Sequence, residues 1–151
     1  KSVIKSNDIR SDILQKRVNL MLRNKIKNKK ISFLGVTFKP NTDDMRDSTS
    51  LHMIPYLCKR GAFVTYYDPT GKKKEFENIK NCRFIKDIKD NCSDSDLIIL
   101  HTEWDEFKSL EFNKLVNKKN YSVLDLRNLY DPKQMKIKKI KYFSVGRPSS
   151  F

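Results

Sequence analysis

Lys39, Arg46 and Arg127 are the side chains of this sequence whose types and positions best suit the capture of an anion. Arginine offers phosphate a planar, two-pronged donor, and lysine offers a mobile point charge. Lys39 and Arg46 fall in a dense polar stretch, Lys39-Pro40-Asn41-Thr42-Asp43-Asp44-Met45-Arg46-Asp47-Ser48, which closes the apolar run beginning Ile31-Ser32-Phe33-Leu34-Gly35-Val36. Arg127 follows a second apolar run, Ser122 to Leu126. Charged residues gathered behind such runs stand where parallel strands end, and in open α/β sheets ligands bind at that edge. The ligand this predicts is a nucleotide or another phosphorylated molecule. A competing reading needs no ligand: Arg127 pairs with Asp125 or Asp44 and ties loops together, and the polar stretch is an ordinary charged connection between a strand and a helix.

Positioning these residues requires a sheet and its crossovers. Ile31 to Val36, Ala62 to Tyr67, Asp96 to His101 and Ser122 to Leu126 read as buried strands, with shorter ones at Arg83 to Ile85 and Tyr142 to Val145. Between them, Ser48 caps a helix running to about Arg60, kinked at Pro55 and stopped by Gly61. Short helices are expected within Lys72 to Asn81, Ile88 to Cys92, Glu103 to Phe107 and Glu111 to Asn117, and Asp68-Pro69-Thr70-Gly71 is a turn. Ahead of these units, Ile9, Ile13, Leu14, Val18, Met21, Leu22 and Ile26 form an apolar stripe that predicts one long helix from about Asn7 to Lys27, capped by Asn7 or Ser6. That stripe must be covered by the following sheet or by a partner subunit. The expected fold class is α/β: a Rossmann-like three-layer parallel sheet preceded by one long helix. Only Gly35 stands near the end of the first strand, and the dinucleotide fingerprint GxGxxG is missing.

Composition narrows the function classes. A length of 151 residues allows one compact domain with an appendage. No apolar run approaches the roughly 20 residues that span a bilayer, so no membrane partner and a cytoplasmic location are expected. Cys58, Cys82 and Cys92 have no CxxC spacing, and His52 and His101 are far apart, so neither a disulfide framework nor a metal site is expected. The net charge of +14 is carried by the ends: residues 1 to 30 hold +8, residues 132 to 151 hold +6, and the middle is neutral. Basic ends could bind RNA electrostatically, predicting a steep salt dependence, but a Lys-, Asn- and Ile-rich composition gives the same excess. No nucleic-acid partner is therefore assigned.

Several segments together carry a family resemblance: Phe38-Lys39-Pro40-Asn41-Thr42-Asp43-Asp44-Met45-Arg46-Asp47-Ser48, Tyr67-Asp68-Pro69, Thr102-Glu103-Trp104-Asp105-Glu106-Phe107, Arg127-Asn128 with Tyr130-Asp131-Pro132, and Ser144-Val145-Gly146-Arg147. In order and spacing, from about residue 8 to residue 147, they resemble the C-terminal third of the UDP-glucose 6-dehydrogenases. Related GDP-mannose and UDP-N-acetylmannosamine dehydrogenases share the architecture, and the Asn41 to Ser48 and Thr102 to Phe107 segments favour the UDP-glucose branch. The resemblance implies a UDP-sugar-binding portion of an NAD-dependent enzyme. That enzyme oxidises UDP-glucose to UDP-glucuronate by two hydride transfers, through a thioester on a cysteine. It implies that Phe38, Lys39 and Arg127 contact the substrate and that Arg46 reaches NAD across the domain cleft. Leu126 stands where the family's Asp-Gly-Arg segment has glycine.

The same resemblance divides the chain into residues 1–28, the end of a central helix through which the family dimerises, and residues 29–151, a C-terminal UDP-sugar-binding domain. Neither the family's GxGxxG domain nor its Gly-Gly-x-Cys nucleophile segment is found in the sequence. Cys82-Arg83-Phe84-Ile85-Lys86-Asp87 echoes the nucleophile segment but lacks its glycines and its proline, and follows the Lys39 loop instead of preceding it. No catalytic residue is assigned, and this chain alone is expected to be inactive. A free-standing nucleotide-sugar-binding and dimerisation module is the alternative.

Overall fold

A computed structural model describes residues 2–145, with side chains from Ser11 onward. Gly146 and Arg147, and the side chain of Ile9, lie outside the described residues. Six parallel strands, β1 (Lys30–Leu34), β2 (Phe63–Tyr67), β3 (Cys82–Phe84), β4 (Leu97–Leu100), β5 (Ser122–Asp125) and β6 (Lys141–Ser144), form one sheet in the order β3-β2-β1-β4-β5-β6. Central β1 pairs Ile31 with Val64 on one side and with Leu97 on the other. Both faces of the central strands are covered, so β4 consists entirely of buried aliphatic residues.

Five helices complete the Rossmann-like layers: α1 (Ser2–Met21), α2 (Ser50–Lys59), α3 (Ile88–Cys92), α4 (Phe112–Leu115) and α5 (Pro132–Ile137). Alternation along the strands separates two cores. Ile31, Phe33, Ile99 and Leu124 meet Leu14 and Val18 of α1 and Met53, Ile54 and Leu57 of α2. On the other face, Leu34, Ile98 and Val123 meet Cys92 of α3, Phe112 of α4 and Met135 of α5.

Helix α1 spans Ser2–Met21 rather than Asn7 to Lys27, so Asn7 and Ser6 lie inside it and not at its start. It ends in a Schellman arrangement without glycine: Asn24 N–H donates to Asn19 O (2.7 Å) and Arg23 N–H to Leu20 O (3.1 Å), with Arg23 and Asn24 left-handed at φ 53° and 59°. The stripe docks within the chain through buried Leu14 and Val18, while Asn19 donates to the Tyr56 hydroxyl (2.7 Å). Ile13 and Leu20 remain 55% and 75% exposed.

Helix α2 starts two residues later than Ser48 and continues through Pro55. Its end matches the expectation: Gly61, at φ 92°, lets Ala62 N–H reach Leu57 O. Lys72 to Asn81 holds only a 3-10 turn at Lys74–Phe76, Glu103 to Phe107 only one at Asp105–Phe107, and β3 begins at Cys82 rather than Arg83. The turn after β2 forms as expected, Asp68 Oδ1 accepting from Thr70 N–H at 2.9 Å. Left-handed corners fall largely on asparagine: Asn24, Asn28, Asn41, Asn81 and Asn128.

Candidate functional site

The strand order reverses between β1 and β4, and the carboxyl ends of strands at such a reversal are where α/β sheets form their ligand crevice. Leaving β1, the chain must pass close to the end of β4. Gly35 permits this: its φ is 79°, and a Cβ there would lie 2.6 Å from Thr102 Cβ. Val36 N–H then donates to the buried carboxylate of Asp68 (2.9 Å), and Val36 O accepts the Ser48 and Ser50 hydroxyls, each at 2.6 Å. Residues 35–49 are thereby anchored at both ends.

Buried polar side chains fix the middle of this loop. Thr102 Oγ1 donates to Thr37 O (2.8 Å), and Thr37 Oγ1 donates to Lys39 O (2.9 Å). His101, 1% exposed, bonds Thr102 through Nδ1 (3.1 Å) and Thr49 through Nε2 (2.8 Å), joining the end of β4 to the start of α2. His101, Thr102 and Thr37 carry no ligand-binding signal in the sequence; only the adjacency of β1 and β4 reveals their role.

Arg127 closes the crevice. Its Nε donates to His101 O (2.9 Å) and its Nη2 to Phe38 O (3.1 Å), so the guanidinium bridges the end of β4 and the Phe38–Lys39 loop. The two carbonyl oxygens orient the guanidinium, and Glu103 Oε1 forms a long ion pair with its Nε at 3.9 Å. The Arg127 backbone is set by Asp125, whose buried carboxylate accepts the N–H groups of Arg127 (3.0 Å), Leu129 (2.7 Å) and Tyr130 (3.1 Å) and the Tyr142 hydroxyl (2.5 Å). Leu126, in the place of the family's glycine, is 5% exposed and belongs to the core beneath α2.

The three expected cations do not converge equally. Arg127 meets the Phe38–Lys39 backbone, with Phe38 47% exposed and Lys39 at the surface. Arg46, 88% exposed, instead grips Asp44 of its own loop, Nη2 to Oδ2 at 2.9 Å and Nε to Oδ1 at 3.1 Å. That guanidinium holds the Asp44 carboxyl at about 2, below the usual carboxylate range. Asp125 takes the backbone N–H of Arg127 while the side chain reaches two carbonyls, so the loop-tying role expected of an Arg127–Asp125 pair is divided between them.

Residues 35–49 do not fit the pyrophosphate of a dinucleotide, because no helix begins directly after β1 and Gly35 is the loop's lone glycine. Among the described residues no group of three His, Cys, Asp or Glu suits a metal ion. Burial pushes the Cys92 thiol up to about 12. Cys82 shares a hydrogen bond with Cys58, and that bond and burial push its thiol up as well. Protonated thiols of this kind are poor nucleophiles.

Residues 32–132 match the UDP binding domain of the UDP-glucose/GDP-mannose dehydrogenase family. A UDP-glucose 6-dehydrogenase of Rhizobium meliloti is 36% identical over 143 residues, which cover 94% of this chain and 33% of that enzyme. A UDP-glucose 6-dehydrogenase of Rickettsia prowazekii is 34% identical over 149 residues, covering 97% and 34%. The chain thus spans about a third of the length of the curated relatives it matches. Among solved structures, an NDP-N-acetyl-D-galactosaminuronic acid dehydrogenase from Methanosarcina mazei superposes with a TM-score of 0.75 at 22% identity, over 94% of this chain and 30% of that one, a likeness of fold.

Proposed function

The chain belongs to the UDP-glucose/GDP-mannose dehydrogenase family, with that family's UDP binding domain at residues 32–132, and on this premise we propose that its carboxyl-edge crevice binds the diphosphate of a UDP-sugar. UDP-glucose is the preferred ligand in this reading, supported by relatives of that name at 36% and 34% identity. The observation that carries the reading is the placement of Arg127, whose guanidinium is fixed by the His101 and Phe38 carbonyls at the strand-order reversal, with its two-pronged donor face suited to phosphate. Lys39 adds a second cation, and the Phe38 ring gives apolar surface to the rest of the ligand.

In the complete enzyme the reaction converts UDP-glucose to UDP-glucuronate through a cysteine thioester. NAD would supply the hydride acceptor, one molecule for each of the two hydrides, and of this chain's residues Arg46 would help to hold it. Cys58, Cys82 and Cys92 take no part. Residues 29–151 form the UDP-sugar-binding domain, and residues 1–28 the end of a central helix that joins two subunits of a cytoplasmic homodimer.

Calorimetry with UDP and UDP-glucose tests the crevice. Arg127→Ala is expected to weaken binding at least tenfold, or about 1.4 kcal/mol. Arg127→Lys, which keeps the charge but cannot bridge both carbonyls, is expected to recover only part of the loss. Equal affinity in wild type and Arg127→Ala would remove the basis of the assignment.

A further inference from the structure

At the opposite edge of the sheet, a cavity of about 730 Å3 opens between the end of α1 and the starts of β1, β4, β5 and β6. Arg17, Arg23, Lys25, Lys29 and Lys141 line it, with Asp96 as the sole acid of the lining. Asp96 is already engaged, accepting from Lys30 N–H (2.9 Å) and Lys118 Nζ (3.0 Å). Arg17 and Lys141 donate to uncharged acceptors, Ser144 O (3.2 Å) and Asn120 Oδ1 (3.0 Å). The side chains of Arg23 and Lys25 make no hydrogen bond or ion pair among the described residues. The two basic ends of the sequence, far apart along the chain, meet in this one concavity.

Five cations around one hollow repel one another, and a multiply charged anion relieves that repulsion more than a single charge does. The hollow also has an apolar side made by Leu20, Met21, Tyr121 and Phe143. Its volume lies within the roughly 300–1,000 Å3 of small-molecule sites. We propose that this cavity is a second anion site, for an oligophosphate of three or more charges, supplied by a free nucleoside triphosphate or by inorganic triphosphate. A compact anion is favoured over a nucleic-acid strand because the cations converge on one hollow instead of tracking along a face.

Calorimetry at low salt with inorganic triphosphate and with a nucleoside triphosphate, on wild type, Lys25→Glu/Lys141→Glu and Arg127→Ala, tests the assignment. Both charge reversals are at exposed positions, and circular dichroism verifies that the double variant folds. A binding event of the wild type that is weakened at least tenfold in the double variant and retained in Arg127→Ala, distinct from any event at the crevice that Arg127→Ala removes, supports the site and separates it from the crevice. Tighter binding of the nucleoside triphosphate assigns the apolar side to the base, whereas equal affinities assign recognition to phosphate alone. No binding by the wild type, equal binding by a folded double variant, or loss of all binding in Arg127→Ala would overturn the proposal. Displacement of triphosphate by a single-stranded RNA of higher affinity would overturn it in favour of a polymer.

Discussion

Arg46 and Asp44 are two residues apart, and their forked contact joins an exposed guanidinium to a half-buried carboxylate. The depressed carboxyl pKa means that the pair stabilises the loop above the unfolded-state value, about 3.9, and that this contribution disappears as the pH falls through about 2. Carboxyl NMR titration is expected to find Asp44 near about 2 in the wild type and closer to about 3.9 in Arg46→Ala; an unmoved Asp44 would show that the guanidinium is not the cause. Arg127 differs in kind, since its guanidinium is fixed by bonds to His101 O and Phe38 O, with the Glu103 carboxylate at 3.9 Å. Residue types and spacing were enough to single out Lys39, Arg46 and Arg127, but not to say which would be held by an acid. That distinction depends on Asp44 turning back on Arg46 and on His101 O lying beside Arg127, neither of which is encoded by distance along the chain.

The β1–loop–α2 unit is held by contacts that arrive from β2 and β4: Asp68 on Val36 N–H and Thr102 on Thr37 O. Gly35→Ala adds a Cβ at 2.6 Å from Thr102 at a left-handed φ, and is expected to cost about 2–3 kcal/mol in urea denaturation and to weaken UDP binding with it. A variant as stable as the wild type would show that Thr102 can move aside freely. Strand β4 was legible as an unbroken aliphatic run, and β1, β2 and β5 as short runs rich in branched and aromatic residues. The end of α1 was not, because Arg23 supplies the left-handed turn where a glycine or proline would have signalled it. Helix α5 escaped the sequence reading since Met135 is its buried apolar residue and no periodicity forms, although Asp131, which accepts from Lys133 N–H, followed by Pro132 at the first turn, was a readable start. His101 looked like an isolated histidine in the sequence; the strand order turns it into the link between β4, α2 and Arg127.

For the molecule as a whole, α1 presents two surfaces of different use. Val18, fully buried, secures the helix to the domain, so Val18→Ala is expected to cost about 2 kcal/mol in thermal or urea denaturation. Ile13, 55% exposed, faces away, and under the proposed dimerisation Ile13→Glu is expected to shift sedimentation from dimer to monomer without lowering the midpoint of unfolding. A dimer that survives this change would place the subunit contact elsewhere. Crevice and basic cavity lie at opposite ends of the same strands, so the sheet separates two phosphate-seeking surfaces by its own length. The asparagine corners give the molecule an uneven lifetime. Asparagine is among the residues that heat degrades chemically, and Asn41 and Asn128 occupy left-handed turns in the two loops that close the crevice. On prolonged warming the chain therefore wears at five bends, two of them in the loops of the proposed phosphate crevice, while the aliphatic sheet beneath is still intact.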